Sequence, residues 1–449
     1  MPRRKYVRVL RMAMLAAILG LAARDARADV PGVSGVSFAL TARADRISTP
    51  DGNSIYFWGF ANAGGRAQYP GPTLIVDQGV GISVSVTNQL PASMGQRVSL
   101  TFAGQPGVSA SCSAAPCVQG PLALEAGDGG TVTYTFTPAR AGTFLYNSAS
   151  RPDLQIEMGL AGTLIVRPSG FGAMPKPQAY SGADSAYDQE YLFFLSEMDS
   201  LIHSIVETQG VEAADRSKRL ANYFPNYWFI NGRNAPDTMT DANIGRLPTQ
   251  PYNSLPRTHP GDRLLMRVVG GGHDMHPFHH HGNHARVLAV DGFPLESTGP
   301  LATPFYLSHE VFTIQSIPGQ TVDAIFRWTG KDIGWDVYGT GPEHVHTCGP
   351  VVDAEGLDVT TREFCGDHGK PLPVTIPDQL SLTFGGFYSG SPFLGTMGLL
   401  PPGQGGFNPN AGYTYMWHSH TEKEITNFDI FPGGMMTMLI VEPLHVVIQ

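Results

Sequence analysis

Histidines are concentrated in two short segments whose spacing suits metal binding. The chain contains 15 histidines, and a cluster within nine positions consists of His276, His279, His280, His281 and His284. Along a β-strand, residues two apart point to the same face, so His279 and His281 should project together and His280 should face the other way as an exposed bystander. His418 and His420 repeat this spacing. Two such strands side by side would aim four imidazoles at one point, and neutral imidazole is a preferred ligand for copper and zinc.

Other potential ligands lie close to these pairs in the sequence. A single copper on the four paired histidines could have His276 or His284 nearby, whereas two coppers would each be short of ligands. Oxygen ligands would widen the choice of metal to zinc, iron or manganese. The available carboxylates are Glu422, Glu424 and Asp429. The available thioethers, which suit Cu(I) but also pack ordinary cores, are Met435, Met436 and Met438.

The elements that would position these residues are short β-strands. From Val36 onward, runs that alternate apolar and polar residues are separated by Gly, Pro and Asn. The 53 glycines, 36 prolines and only 15% charged residues suit a protein with many turns. Alternation at this spacing predicts an all-β fold built from Greek-key sandwich or barrel domains.

The β-rich runs fall into two regions. The first spans residues 36–168, a linker rich in Gly, Pro, Ser and Ala spans 169–188, and the second spans 189–449. A polar, Gly/Pro-rich insertion at about 335–412 interrupts the second region and could form a lid or an interface. It contains a further His-x-His, His344 and His346, beside Cys348. The best helix candidate is 211–222.

The first 28 residues have the features of an export signal. A basic start is followed by an apolar run from Met12 to Ala23 and by the small-x-small site at 26–28. The run is shorter than the ~20 residues that span a bilayer, so we expect cleavage after Ala28 and a periplasmic or secreted protein without stable membrane insertion. A net charge of −9 and the lack of a basic arm argue against nucleic-acid binding.

Four cysteines complete the set of residues with distinctive chemistry. Cys112 and Cys117 flank one short loop, and Cys348 and Cys365 bracket another. In an oxidising compartment, this spacing predicts two local disulfides rather than free thiols.

The histidine motifs resemble those of the multicopper oxidase superfamily. The segment 276–284, His-Pro-Phe-His-His-His-Gly-Asn-His, resembles the family's His-Pro-x-His-x-His-Gly motif. His418-Ser419-His420, with Phe-Pro-Gly-Gly-Met at 431–435, resembles the terminal His-Cys-His motif. The resemblance covers about 36–449 and implies tandem cupredoxin-like domains with copper as the cofactor. It also implies that His276 is a type 1 copper ligand and that the trinuclear-cluster ligands are His279, His281, His418 and His420.

The departures from the family pattern imply a reduced site. Two His-x-His pairs of the family's first domain are replaced here by residues 101–103, Thr-Phe-Ala, and 147–149, Asn-Ser-Ala. Ser419 stands at the type 1 cysteine position, and Glu424 stands at the next type 1 histidine position. A blue type 1 site needs a thiolate together with two histidines, so no type 1 copper is expected. Laccase-type four-electron reduction of dioxygen is not expected either, because half of the cluster histidines are missing.

These features leave three functions open. The first is an exported oxidoreductase with a reduced, non-blue copper site and an unknown small reductant as its substrate. The second is a copper-binding or copper-sequestering protein without turnover. The third is a cupredoxin scaffold for protein interaction. Two-domain members of the superfamily often form trimers, so a homotrimer is possible on grounds of fold analogy.

Overall fold

The computed structural model describes residues 30–296, 305–331, 333–334, 336, 347–360, 362, 364–370, 390–391, 413–442 and 446–448. The predicted signal at 1–28, most of the predicted insertion at 335–412, and His344 and His346 therefore lie outside the described residues. Within the described residues, strands dominate and helices are few and short. The predicted all-β fold class is confirmed.

Two sheets form the first domain. Their strands are Val33–Ser34 (β1), Ser37–Ser48 (β2), Ser54–Asn62 (β3), Gly71–Asp77 (β4), Ile82–Gln89 (β5), Leu100–Phe102 (β6), Ser109–Ala114 (β7), Thr131–Phe136 (β10), Gly142–Ser148 (β11) and Ala161–Arg167 (β12). One sheet has the order β1-β4-β12-β11-β6, and the other has the order β3-β2-β5-β10-β7. A small two-stranded ribbon pairs Cys117–Gln119 (β8) with Leu124–Ala126 (β9).

Two further sheets form the second domain. Their strands are Gln189–Met198 (β13), Tyr227–Ile230 (β14), Arg257–Thr258 (β15), Arg263–Gly270 (β16), His276–His280 (β17), Ala285–Val290 (β18), Phe293–Pro294 (β19), His309–Val311 (β20), Thr313–Ser316 (β21), Thr321–Arg327 (β22), Gly390–Ser391 (β23), Tyr413–Ser419 (β24) and Met436–Val441 (β25). One sheet runs β14-β13-β16-β22-β18-β19, with β20 on β18. The other runs β15-β25-β24-β17-β21, with β23 on β24. The predicted domain boundaries themselves stay predictions.

Alternating side chains explain why these segments form half-buried strands. In β5, Ile82, Val84 and Val86 face the core, and the serines and threonine between them are only half-buried. Burying each such apolar side chain stabilises the fold by about 1.5–3 kcal/mol relative to exposing it. Parallel pairing of β2 with β5 and of β4 with β12, beside antiparallel neighbours, gives the crossed connections of a Greek key.

The second domain is a sandwich of two sheets, and the sheet that contains β13 packs against the other sheet on one face and against the first domain on the other. Phe193 on β13 packs against Phe278 and Trp417 of the opposite sheet, with ring centroids 5.2 and 5.8 Å away. Its neighbour Phe194 points the other way and contacts Tyr69 of the first domain, 6.4 Å between centroids. The sheet that contains β17 and β24 therefore lies on the side of β13 away from the first domain.

A buried ionic network joins the two domains. Glu190 lies between Arg167 and Arg267, with Arg167 Nη1 2.5 Å from Glu190 Oε1. Arg267 also contacts Asp323, which accepts a hydrogen bond of 2.6 Å from Thr143 of the first domain. Burial alone would raise the pKa of Glu190, but the two guanidinium charges lower it to about 2.

The helices differ from the sequence expectation. The helix predicted at 211–222 spans only Val211–Ser217 (α3), and Lys218 follows it in the left-handed region with φ of 58°. A helix that was not predicted spans Ser200–Gln209 (α2). Asp199 caps α2 by accepting from the Leu201 amide, and Gly210 ends it, so this helix had recognisable start and stop signals. A single turn, Pro152–Gln155 (α1), precedes both. Among the described residues, none of these helices is long and apolar enough to cross a membrane.

Both predicted disulfides are present. Cys112 on β7 is bonded to Cys117 at the start of β8, and Cys348 is bonded to Cys365. The pairing of Cys348 within a disulfide agrees with the sequence-based preference for a structural role of that residue.

Candidate metal site

Three histidines meet on the outer face of the second domain. Strands β17 and β24 are antiparallel, and His279 lies directly opposite His418. Phe278 and Trp417 occupy the alternate positions and fill the core, which forces their histidine neighbours onto the other face. The ligand nitrogens of His279, His281 and His418 all lie within 4.8 Å of one another. The predicted pairing of two His-x-His segments therefore brings three of the four histidines into metal-binding proximity.

Backbone acceptors hold two of these rings in the form that metals bind. His279 Nδ1 lies 2.7 Å from the Phe312 carbonyl and 3.0 Å from the Thr313 hydroxyl. His418 Nδ1 lies 2.7 Å from the Ser419 carbonyl. Because a carbonyl oxygen only accepts, each Nδ1 must carry the proton, and each Nε2 keeps its lone pair. Such outer contacts fix the tautomer and the orientation of metal-binding histidines.

The two strands also bring ligand nitrogens into close contact. His281 Nε2 lies 3.1 Å from His418 Nε2, so the two atoms share a single proton or can bind the same metal ion. Burial, together with the nearby His418, lowers the pKa of His279 to about 4. Burial lowers the pKa of His418 as well. Both rings are therefore neutral near pH 7, which is the protonation state that metal binding requires.

His420 and His284 lie at the edge of this group. The exposed His420 ring lies 4.9 Å from His279 and 5.9 Å from His418, measured between centroids, but its nitrogens fall outside the convergent set. His284 is exposed and packs its ring against Phe312 at 5.5 Å. Neither residue belongs to the convergent group, so the ligand roles predicted for His420 and His284 stay predictions.

His276 lies on the opposite face of β17 from the three histidines and is fully buried. Its Nδ1 lies 3.0 Å from Glu424 Oε2, and its Nε2 lies 2.8 Å from Glu197 Oε2. Ser419 Oγ donates to the same Glu424 oxygen at 2.5 Å. Burial opposes protonation of His276, but hydrogen bonds to the two carboxylates and their charges raise its pKa to about 10. His276 and Ser419 thus both form hydrogen bonds to Glu424, and all three stand at positions that correspond to type 1 ligands.

Met435 is the last predicted ligand, and it too belongs to this buried region. Its side chain is fully buried, and its carbonyl accepts from the Ser419 amide at 2.9 Å. The ligand roles predicted for His276, Glu424 and Met435 stay predictions, although the described residues give no convergent ligand group that contains His276 or Glu424. The geometry does not favour a type 1 copper here, because both ring nitrogens of His276, one of which would have to bind the metal, already form hydrogen bonds to Glu197 and Glu424.

The substituted positions of the first domain also contact one another. Thr101 on β6 lies opposite Asn147 on β11, and its hydroxyl donates to Asn147 Oδ1 at 2.6 Å. A short polar pair therefore occupies the strands where the family has its two N-terminal His-x-His pairs. These side chains offer no nitrogen ligand to a metal.

The structure corrects one expectation and adds residues that the sequence did not indicate. His280 is fully buried rather than exposed, with Nε2 3.0 Å from the Val311 carbonyl and its ring against Trp417. Glu197 was missed because it lies 79 positions from its partner His276. Tyr223 and Glu157, which continue the same hydrogen-bonded network, were missed for the same reason. A buried-strand pattern interrupted by an acidic residue near its end, after the apolar run 191–195, was the local signal for Glu197.

Comparison with known proteins supports the resemblance to multicopper oxidases. The protein-family model described as multicopper oxidase matches residues 61–170. The structure is similar to a multicopper oxidase called mgLAC, with a TM-score of 0.52 and 17% identity over 92% of this chain and 87% of that one. It is also similar to the blue copper oxidase from Nitrosomonas europaea, with a TM-score of 0.52 and 19% identity over 90% of this chain and 85% of that one. No curated protein sequence matches the chain.

These findings define the class of protein. The described chain shares the cupredoxin-type fold of the multicopper oxidases to which it is similar, and residues 61–170 match the multicopper oxidase family model. The predicted superfamily resemblance is therefore confirmed, and copper agrees with it as the expected cofactor. The matched domain is the one whose histidine positions hold Thr101 and Asn147, so the family scaffold is retained where the family ligands are not.

Proposed function

We propose that this protein is an exported, multicopper-oxidase-like copper protein that binds one non-blue copper through His279, His281 and His418. The observation that carries the proposal is the convergence of three imidazoles within 4.8 Å, two of them held with Nε2 available. Strong ligands of this type suit copper, and the family match favours copper over other imidazole-binding metals. The periplasmic or secreted location and a homotrimer remain part of this proposal.

Redox turnover is the finer part of the proposal. Three protein ligands leave room for a further ligand, and the exposed His420 shows that this face is open to solvent among the described residues. When bound, copper would supply one-electron chemistry toward a small reductant. The protein's own part is to hold neutral imidazoles on two paired strands, so that the ligands need little rearrangement when the metal binds.

A specific observation favours a second function, copper binding without turnover. In the family, the type 1 centre accepts electrons, but here Ser419 and His276 both form hydrogen bonds to Glu424 at that position. Without that centre, electrons must reach the copper directly from outside. A protein that sequesters copper would need no such route. Steady oxidation of a phenol or of a reduced metal ion by the copper-loaded protein would separate the two functions.

Copper content after histidine substitution tests the proposed site. We expect His279→Ala combined with His418→Ala to abolish copper binding, because it removes two of the three convergent ligands and both fixed tautomers. Circular dichroism should show that the β-sheet fold is kept, because both side chains lie on the outer face of the sheet. Copper is measured by elemental analysis after loading with Cu(II) and removal of the excess.

His284→Ala is the matched control, since it removes an exposed histidine from the same sequence cluster. We expect it to bind as much copper as the unmodified protein. Unchanged copper content in the double variant, or its loss in the His284→Ala control, would contradict the proposed ligand set.

A further inference from the structure

The position of the family's type 1 copper contains a buried ionic cluster, defined here as Glu197, His276, Glu424 and Ser419. Both ring nitrogens of His276 face carboxylate oxygens, at 2.8 Å for Glu197 and 3.0 Å for Glu424. Because carboxylates only accept hydrogen bonds, this arrangement is satisfied by an imidazolium between two anions. All four side chains are buried. A charged hydrogen-bonded group in this setting holds its partners more firmly than a neutral one would.

One end of the cluster continues to the first domain. The amides of His273 and Asp274 donate to Glu197 Oε1 at 2.5 and 2.9 Å, which fixes this carboxylate at the start of β17. Tyr223 lies between the domains, with its hydroxyl 2.6 Å from Glu157 Oε2 and 3.3 Å from Glu197 Oε1. Glu157 belongs to the first domain and accepts from the Asp199 amide at 2.7 Å. The cluster is thus anchored at the domain interface.

The other end of the cluster reaches the candidate metal site. Glu424 holds the Ser419 hydroxyl at 2.5 Å, and the Ser419 amide donates to the Met435 carbonyl at 2.9 Å. With its side chain and amide both held, Ser419 presents its carbonyl in one direction. That carbonyl is the acceptor, at 2.7 Å, that fixes the tautomer of His418.

We propose that Glu424, acting through Ser419, is a positioning residue that fixes the His418 ring for copper, and that the type 1 position is a metal-free cluster serving this purpose. The inference rests on the proposed function in one respect, namely that copper binds His418. The orientation of His418 itself is a property of the chain and can be measured without copper. Glu424 binds no metal in this account.

The test compares substitutions that keep or remove the oxygen facing Ser419. Glu424→Leu removes the acceptor, whereas Glu424→Gln keeps an oxygen there and loses the charge. Glu422→Leu, at an exposed carboxylate two residues away, is the control for a charge lost from this loop. The readouts are the tautomer of His418, from nuclear magnetic resonance of copper-free protein with 15N-labelled histidine, and the dissociation constant and electron paramagnetic resonance spectrum for Cu(II). His418→Gln assigns the resonance.

We expect the His418 ring to hold a single Nδ1–H tautomer in the unmodified protein, in Glu424→Gln and in Glu422→Leu. In Glu424→Leu it should exchange between tautomers. Outer contacts of this kind change metal affinity by roughly 10- to 100-fold, so Glu424→Leu should bind copper weaker by about that factor, with an altered spectrum. Glu424→Gln should stay within a few-fold of the unmodified protein in affinity while unfolding at lower denaturant concentration.

Two results would overturn the inference. One is a Glu424→Leu protein whose His418 tautomer, copper affinity and spectrum all match those of the unmodified protein, since Glu424 would then act on stability alone. The other is a second bound copper that Glu424→Gln removes, since the cluster would then be a metal site. Failure of the proposed function gives a different pattern, in which no variant binds copper but the His418 tautomer still responds to Glu424→Leu.

Discussion

At the scale of single residues, alternate positions on two strands have opposite roles. His279 and His418 face outward with lowered pKa values, and His276 faces inward with its pKa raised to about 10. The same type of side chain is therefore a neutral ring, the form that a metal binds, on one face of β17 and a cation on the other. Desolvation dominates where the ring has neutral neighbours, and the two carboxylates dominate where it has charged ones.

Substitution of the type 1 cysteine position alone should not create a blue site. Ser419→Cys supplies a thiol, but Glu424 and Glu197 still hold His276 through hydrogen bonds to both ring nitrogens. A blue centre needs the thiolate with two imidazoles, and one of the two positions remains a carboxylate. We therefore expect no intense visible absorption from copper-loaded Ser419→Cys protein. A strong blue band from this single variant would show that the cluster yields to copper.

At the scale of elements, the pairing of β17 with β24 creates the site. Its general position could be predicted, because alternation of histidine with Phe278 and Trp417 specifies which residues share a face. The partners of His276 could not be predicted in the same way. Glu197 comes from a different sheet, so its contact depends on how the two layers pack, which local patterns do not encode. His280 was misassigned because alternation gives the face but not what covers it.

The ionic cluster between these layers should make stability depend on alkaline pH. The pKa of His276 is raised above its unfolded value of about 6.5, so its contribution to stability is complete below that value and is lost as pH rises toward about 10. We expect His276→Gln to reduce stability at pH 7 and to flatten this loss between pH 7 and 10. The measurement is the free energy of unfolding in urea at both pH values.

The same experiment on His284→Gln controls for an exposed histidine, whose loss should leave the pH dependence unchanged. Any other group that titrates between pH 7 and 10 does so in the unmodified protein and in both variants, so the difference between His276→Gln and the unmodified protein isolates His276. If the unmodified protein and His276→Gln lost stability in parallel between pH 7 and 10, the ring would not be a buried cation.

At the scale of the whole molecule, the first domain packs against the second and keeps the family scaffold without the family's metal-binding histidines. It matches the family by sequence over 61–170, yet its metal positions hold the hydrogen-bonded pair Thr101 and Asn147. Its strand β11 contacts β16 and β22, its strand β3 contacts α2, and its Tyr69 contacts Phe194, on the face of β13 away from Phe278 and the three histidines. The fold class could be predicted from strand spacing, but the ionic network at this interface joins residues far apart in sequence and could not.

The interface network should contribute strongly to stability once it has formed. Glu190→Gln would leave Arg167 and Arg267 buried without their shared anion, and breaking a buried ion pair in this way costs about 3–5 kcal/mol. We expect that loss in the free energy of unfolding measured with urea. Glu212→Gln, in a pair that is largely exposed, should have little effect. Equal effects of the two substitutions would contradict the role assigned to the network.

The most direct test of the central claim is the copper content of the unmodified, purified protein after loading with Cu(II), measured together with its electron paramagnetic resonance and visible spectra. We predict one copper per chain, with a non-blue spectrum and hyperfine coupling to imidazole nitrogens, because three histidines converge and the type 1 position is closed by hydrogen bonds. A protein that binds no copper would contradict the three-histidine site. A protein that binds several coppers and absorbs strongly in the blue-copper band would contradict the closed type 1 position.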